Sequence, residues 1–129
     1  MGKGKTLVSA CLVGILCRYD GRRIRRLKKD NINFIPVCPE QLGGLPTPRA
    51  RSILSTGSGL DVLKGKAKVV SDDDRDVTEN FLRGAYEVSR IVKLFNIKEA
   101  YLKSKSPSCG TDGVTTALLR KMKIEIHFV

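Results

Sequence analysis

Ala100-Tyr101-Leu102-Lys103-Ser104-Lys105-Ser106-Pro107-Ser108-Cys109-Gly110 carries a short apolar run into a loop of small and conformationally special residues. Beyond it Val114, Ala117, Leu118 and Met122 recur at helical spacing. The stretch reads as strand, loop and helix. Proline fixes one backbone angle of the loop, glycine frees another, and two hydroxyls and a thiol stand between them. α/β proteins hold their ligands at junctions of this kind. The other reading is a plain connection whose cysteine packs as a small hydrophobe, so the rest of the chain must decide.

The same unit recurs upstream. Thr6 to Ala10 reads as a first strand ending at Cys11, and Phe34-Ile35-Pro36-Val37 as a second that runs into Cys38-Pro39-Glu40. Phe81, Ala85, Val88, Val92 and Phe95 mark a helix over Val77 to Phe95, with Asp76 and Glu79 as a capping box and Asn96 at the exit. Ala100 to Lys103 is the third strand. The helix from Val114 to Met122, with Asp112 as its cap, leads to a fourth strand. There Ile124, Ile126 and Phe128 alternate with Glu125, His127 and Val129, which puts His127 on an exposed face as a surface residue.

Strands alternating with helices predict an α/β domain over residues 1–129. Its core would be a small Rossmann-like sheet of about four mainly parallel strands, order 2-1-3-4, with helices on both faces. Pro36 suits an edge strand because proline cannot donate to a neighbour. Arg22 to Asp30 is a basic helix candidate, either a solvated face or an anion-binding one. Gly43 to Arg49 is an irregular loop. Within residues 50–72, Ile53-Leu54 and Ala67 to Val70 suit a hairpin or flap around Gly57 to Gly65, and no helical pattern follows Gly57-Ser58-Gly59.

The chain has 24 basic and 13 acidic residues, a net charge of +11, which favours acidic partners such as nucleic acid, nucleotides or anionic substrates. No run of about 18 apolar residues is present to span a membrane. The apolar stretch before Cys11 is too short for a signal segment, so a cytoplasmic location is expected. There the four cysteines, Cys11, Cys17, Cys38 and Cys109, imply metal or catalysis more than disulfides.

Cys11, Cys38 and Cys109 each follow the end of a different expected strand. Strands lie about 4.8 Å apart, so three thiols at neighbouring strand ends can converge on one point. Three cysteines leave an iron-sulfur cluster with one iron not ligated by protein, or a zinc ion with one open position. Cys17, near a turn beyond Cys11, is a possible fourth ligand that would close the site. Glu40 could move protons there, and Ser106 could donate a hydrogen bond or attack. Arg18, Asp20 and Arg49 are weaker candidates for substrate contact.

At these residues the chain resembles a family first catalogued as a domain of unknown function, whose characterised members are thiouracil desulfidases. The resemblance lies in Val8 to Gly14, Cys17 to Gly21, Val37 to Arg49, Asp76 to Thr78, Phe81 to Ala85, Leu102 to Ser104, Ser106 to Gly110 and Gly113 to Leu119, in that order. It implies a [4Fe-4S] cluster on Cys11, Cys38 and Cys109, with Glu40 as acid/base and Ser106 as the catalytic serine. The implied enzyme is a non-redox desulfurase acting on a thiocarbonyl base such as thiouracil, or a nucleotide carrying one. Members usually carry an extended segment after the Ser-Pro-Ser-Cys-Gly loop, whereas here only Thr111-Asp112 link Gly110 to Gly113. Two other functions compete. One is a basic module that binds RNA such as thiolated tRNA through Arg22–Lys29, and the other is a zinc or thiol protein using the same cysteines.

Overall fold

The computed structural model describes residues 4–129. Strand β1 (Lys5–Ser9) lies between β2 (Asn33–Val37) and β5 (Glu99–Leu102), and β6 (Glu125–Phe128) extends the sheet beyond β5. All three pairings are parallel, in the order β2-β1-β5-β6. This is the expected α/β sheet, with β5 and β6 as its third and fourth strands. Pro36 faces Val8 from the edge strand β2 and interrupts no second ladder.

Helix α3 (Thr78–Leu94) buries Phe81, Ala85, Val88 and Val92, the spacing read from sequence. Its carboxyl half joins Leu7, Ala100 and Leu102 of the sheet and Leu119 of α4 (Val114–Lys121) in one apolar cluster. Leu7, Leu102 and Leu119 are fully enclosed there; burial of each contributes about 1.5–3 kcal/mol. The amino half of α3 packs with a second cluster, which includes Val62, Val69 and Val114. Glycine makes the closest approach possible: a Cβ on Gly84 of α3 would run into the carbonyl of Pro39 in α1 (Pro39–Leu42). The backbone of α1 is thereby seated directly on α3.

Residues 50–72 form the expected antiparallel pair, β3 (Ser52–Leu54) with β4 (Val69–Ser71). Between them stands a helix the pattern did not announce, α2 (Gly59–Leu63). A local capping box drives it, in which Ser58 accepts from the Asp61 N–H and Asp61 accepts from the Ser58 N–H. Gly59 donates its N–H to the Asp112 carbonyl at 2.6 Å, and a Cβ on Gly59 would collide with the backbone of Gly113.

Three other expectations are corrected. Arg22 to Asp30 is not helical. Arg22 with Arg26, and Arg25 with Lys29, would set like charges one turn apart, and only Ile24 and Leu27 offer apolar cover. The segment instead lies against the chain it follows, with the Leu27 N–H donating to the Leu12 carbonyl at 2.8 Å and Lys29 5.8 Å from the Tyr101 ring centre. At α3 the Thr78 N–H donates to Asp76 at 3.0 Å, and Glu79 closes no capping box. At α4 the cap is Gly113, and the first N–H groups go to the carbonyls of Pro107 and Ser108, not to Asp112.

His127 also departs from its reading as a surface residue. It is half-buried, hydrogen-bonds Glu99 across the strand pair at 2.8 Å and stacks on Tyr101. Among the described residues, no helix is long and apolar enough to cross a membrane.

Candidate functional site

The carboxyl ends of β1, β2 and β5 open on one cavity of about 340 Å³, and Cys11, Cys17, Cys38 and Cys109 all line it. Cys11 sits in the 3₁₀ turn that leaves β1 (Ala10–Val13), and Cys38 caps α1 as β2 ends. Cys109 is held in the loop between β5 and α4. That loop is knotted by its own hydrogen bonds: Ser106 Oγ accepts from the N–H groups of Ser108 and Cys109 at 3.2 and 3.1 Å. The Ser106 carbonyl accepts from Gly110 at 2.8 Å. The convergence expected from strand order is therefore realised.

The sulfurs meet without crowding. Among the described residues, Glu99, Glu125 and His127 are the one set of three ligand atoms mutually within 4.8 Å, so no three of the cysteine sulfurs lie that close. A single zinc ion with Zn–S near 2.3 Å needs its sulfurs about 3.8 Å apart. A cubane cluster, which spreads its thiolates around four irons, tolerates a wider set. The cysteines present fit the cluster better than the lone ion.

Protonation follows burial and mutual contact. Burial pushes the Cys109 thiol up to about 12, against hydrogen bonds with Ser9 and Ser108. Cys38 is also raised, first by its hydrogen bond with Cys17 and then by burial. Cys17 is raised to about 11, chiefly by its hydrogen bond with Cys11, and that same contact lowers Cys11. The raised thiols are therefore protonated at neutral pH, and any metal they bind must displace protons.

Beside the thiols runs a hydrogen-bonded line of side chains. Arg49 Nε donates to Glu40 Oε1 at 3.0 Å, an ion pair whose two side chains are 6% and 12% exposed. Arg49 also donates to the carbonyls of Cys17 and Pro46 and to Thr47 Oγ1, so the loop of residues 43–49 is built around its guanidinium. Glu40 Oε2 accepts from Ser108 Oγ at 3.1 Å, and Ser108 Oγ meets Ser106 Oγ at 3.0 Å. With the Ser108 proton given to Glu40, and both lone pairs of Ser106 taken by backbone N–H groups, the proton between the serines belongs to Ser106. The line then runs Ser106 to Ser108 to Glu40.

Ser108 was not singled out by sequence; a loop serine has no spacing signal, and only the fold brings it between Ser106 and Glu40. Arg49, a weak candidate by sequence, proves central. Arg18 lines the cavity and pairs with Asp20 at 3.4 Å. Asp20 itself stays off the lining and holds the turn by accepting from the Arg22 N–H. Arg18 and Lys103 also border an adjoining groove lined by Ile24, Arg25, Arg26, Leu27 and Lys28.

A profile of the 2-thiouracil desulfurase family matches residues 6–127, and the chain belongs to that family. It is 40% identical over 135 residues to YbbK of Bacillus subtilis (strain 168), a protein described as uncharacterized, covering 89% of each chain. It also resembles a solved structure of TudS, a [4Fe-4S]-dependent thiouracil desulfidase. The TM-score is 0.85 at 34% identity, over 98% of this chain and 91% of the other.

Proposed function

We propose that this member of the 2-thiouracil desulfurase family is an iron-sulfur-dependent desulfidase that removes sulfur, without net redox, from a thiocarbonyl base such as thiouracil. The observation that carries the proposal is the meeting of Cys11, Cys38 and Cys109 in one cavity with the Ser106–Ser108–Glu40 line along its wall. The absence of a tight cysteine triple among the described residues favours a cluster over a single zinc ion. Family membership and the likeness to TudS point the same way.

Cys11, Cys38 and Cys109 would hold a [4Fe-4S] cluster, whose iron without a protein ligand supplies a Lewis acid for the thiocarbonyl sulfur. The protein's own groups handle protons. A proton released at Ser106 Oγ, or at a water bound to it, passes through Ser108 Oγ to Glu40 Oε2, which can return it to the departing sulfur. Arg49 keeps Glu40 aimed along that line and neutralises it within the cavity. Tyr19, Arg18 and Arg51 line the same cavity and offer a ring and two guanidiniums to a planar base. The expected setting is the cytoplasm.

Anaerobic purification, an absorbance spectrum and assays for iron and acid-labile sulfide test the cluster, and sulfide release from 2-thiouracil tests the activity. A colourless, iron-free protein that cannot be reconstituted would overturn the proposal.

One observation supports a second reading, in which the thiobase belongs to an RNA. The basic groove at Arg25, Arg26 and Lys28 shares Arg18 and Lys103 with the cysteine cavity, so a polyanion lying there would reach the site. RNA affinity should then fall steeply with salt, and the absence of binding at low salt would end this reading.

A further inference from the structure

Cys17 is the cysteine that the three strand ends do not account for. It is buried, 2% exposed, and lines the cavity with the other three, all four thiols being free. Its carbonyl receives the Cys38 thiol at 3.8 Å and is pinned by Arg49 at 2.9 Å. Its side chain shares one cavity wall with those of Cys11 and Cys38. Cys11 and Cys17 are the two pocket cysteines closest in sequence, so joining them closes the shortest loop and costs the least chain entropy.

The backbone between them folds back on itself, with the Ile15 N–H donating to the Ala10 carbonyl at 3.2 Å and the Cys17 N–H to the Ile15 carbonyl at 2.9 Å. The 3₁₀ turn ends at Gly14, whose φ of 97° is a left-handed conformation glycine adopts without strain. Ile15 and Leu16 follow at 46% and 47% exposure, so this outer part of the turn can shift while Leu12 stays in the core. Cys38 stands instead on α1, which is fixed against α3 at Gly84.

We propose that, whenever no cluster occupies the site, Cys11 and Cys17 form a disulfide that shuts the cavity to iron until it is reduced. The proposal rests on the reading of Cys11 as a cluster ligand. The oxidant is a low-molecular-weight disulfide such as glutathione disulfide. One cysteine, as thiolate, attacks it and releases one glutathione; the other attacks the mixed disulfide and releases the second. The protein gives up two electrons and both thiol protons, and glutathione disulfide becomes two molecules of glutathione. Cys38 and Cys109 remain as thiols, too few to hold a cluster. A loaded protein engages Cys11 and is protected, so bridge and cluster exclude each other.

The test uses the full-length apoprotein, incubated anaerobically with glutathione disulfide, alkylated and digested with trypsin. Residues 6–18 then form one peptide carrying both cysteines. The expected product is that peptide two hydrogens lighter and unalkylated, with Cys38 and Cys109 alkylated. Treated wild type should fail to take up iron and sulfide until reduced, and in treated Cys17→Ser the Cys11 thiol should be found alkylated or as its glutathione adduct, with no bridge to Cys38 or Cys109. The peptide map needs only wild type, so it decides the matter even where Cys17→Ser folds poorly. Alkylation of both residues, or a bridge that leaves out either, overturns the lock and leaves the cluster reading intact. A bridge in a protein that takes up no iron when reduced overturns the cluster reading, and the lock falls with it.

Discussion

At the cavity wall Glu40 is 9% exposed and each of its carboxylate oxygens has a partner, Arg49 for one and Ser108 for the other. Along Arg22, Arg23, Arg25, Arg26, Lys28 and Lys29 the cations stand exposed, and the backbone under them has no regular structure. The two regions carry the densest chemistry of the chain and are built on opposite terms. A charge taken out of water demands a fixed partner, and meeting that demand dictates the path of residues 43–49 around Arg49. A charge left in water demands nothing, so the strip follows whatever backbone course its few apolar residues permit. Charge density is therefore a poor guide to structure until burial is known.

The largest break in that comparison would come from Glu40→Gln. If the buried carboxylate moves the proton, sulfide release should fall about 10²- to 10⁴-fold while iron content is retained. Unchanged turnover would reduce Glu40 to a structural partner of Arg49. Ser108→Ala should share part of the loss, because it cuts the line between Ser106 and Glu40.

A smaller effect sharpens the dependence of the site on the scaffold beneath it. Gly84→Ala sets a methyl group against the Pro39 carbonyl and must lift α1, with Cys38 and Glu40, off α3. A loss of about 1–3 kcal/mol in denaturant unfolding is expected, together with weaker iron retention. Full stability with full iron content would show that α1 can shift without consequence.

Alkaline titration compares the regions in the apoprotein. Cys109 and Cys17 are raised from 9.0 to about 12 and about 11. Groups shifted upward stabilise the fold fully below their unfolded value and lose that contribution as pH rises through the folded one. The melting temperature should thus decline between about pH 9 and 12, and the decline should be smaller in Cys109→Ala. A flat profile would mean that the buried thiols find solvation the structure does not show. The smallest effect belongs to the strip: Arg25→Gln with Arg26→Gln should change stability by less than about 0.5 kcal/mol. A larger loss in urea unfolding would show that these exposed cations hold more than themselves.

Much of the site was legible because order along the chain encodes position along a sheet edge. Apolar runs ending at Cys11 and Cys38, and a third leading to Cys109, needed only a parallel sheet to converge, and Pro36 named the edge. The place of Ser108 between Ser106 and Glu40 and the reach of Arg49 were not legible, since both depend on loop paths closed by hydrogen bonds between residues far apart in sequence. α2 was missed because a capping box at Ser58 and Asp61, not apolar periodicity, starts it. The basic segment misled because two apolar residues three apart resemble a helix face, while like-charge repulsion acts against the helix they suggest.

The contact of Gly59 with Asp112 and Gly113 has a consequence for how such chains can vary in length. The short connection after Gly110 is also the floor on which α2 rests, so the two are a single trait. A relative that lengthens this connection must either arch the added residues away from the floor or give up the bare glycine pairing beneath α2. Length at one place and side-chain size at the other should then be inherited together, and swapping the connection between relatives without its matching α2 should unseat both.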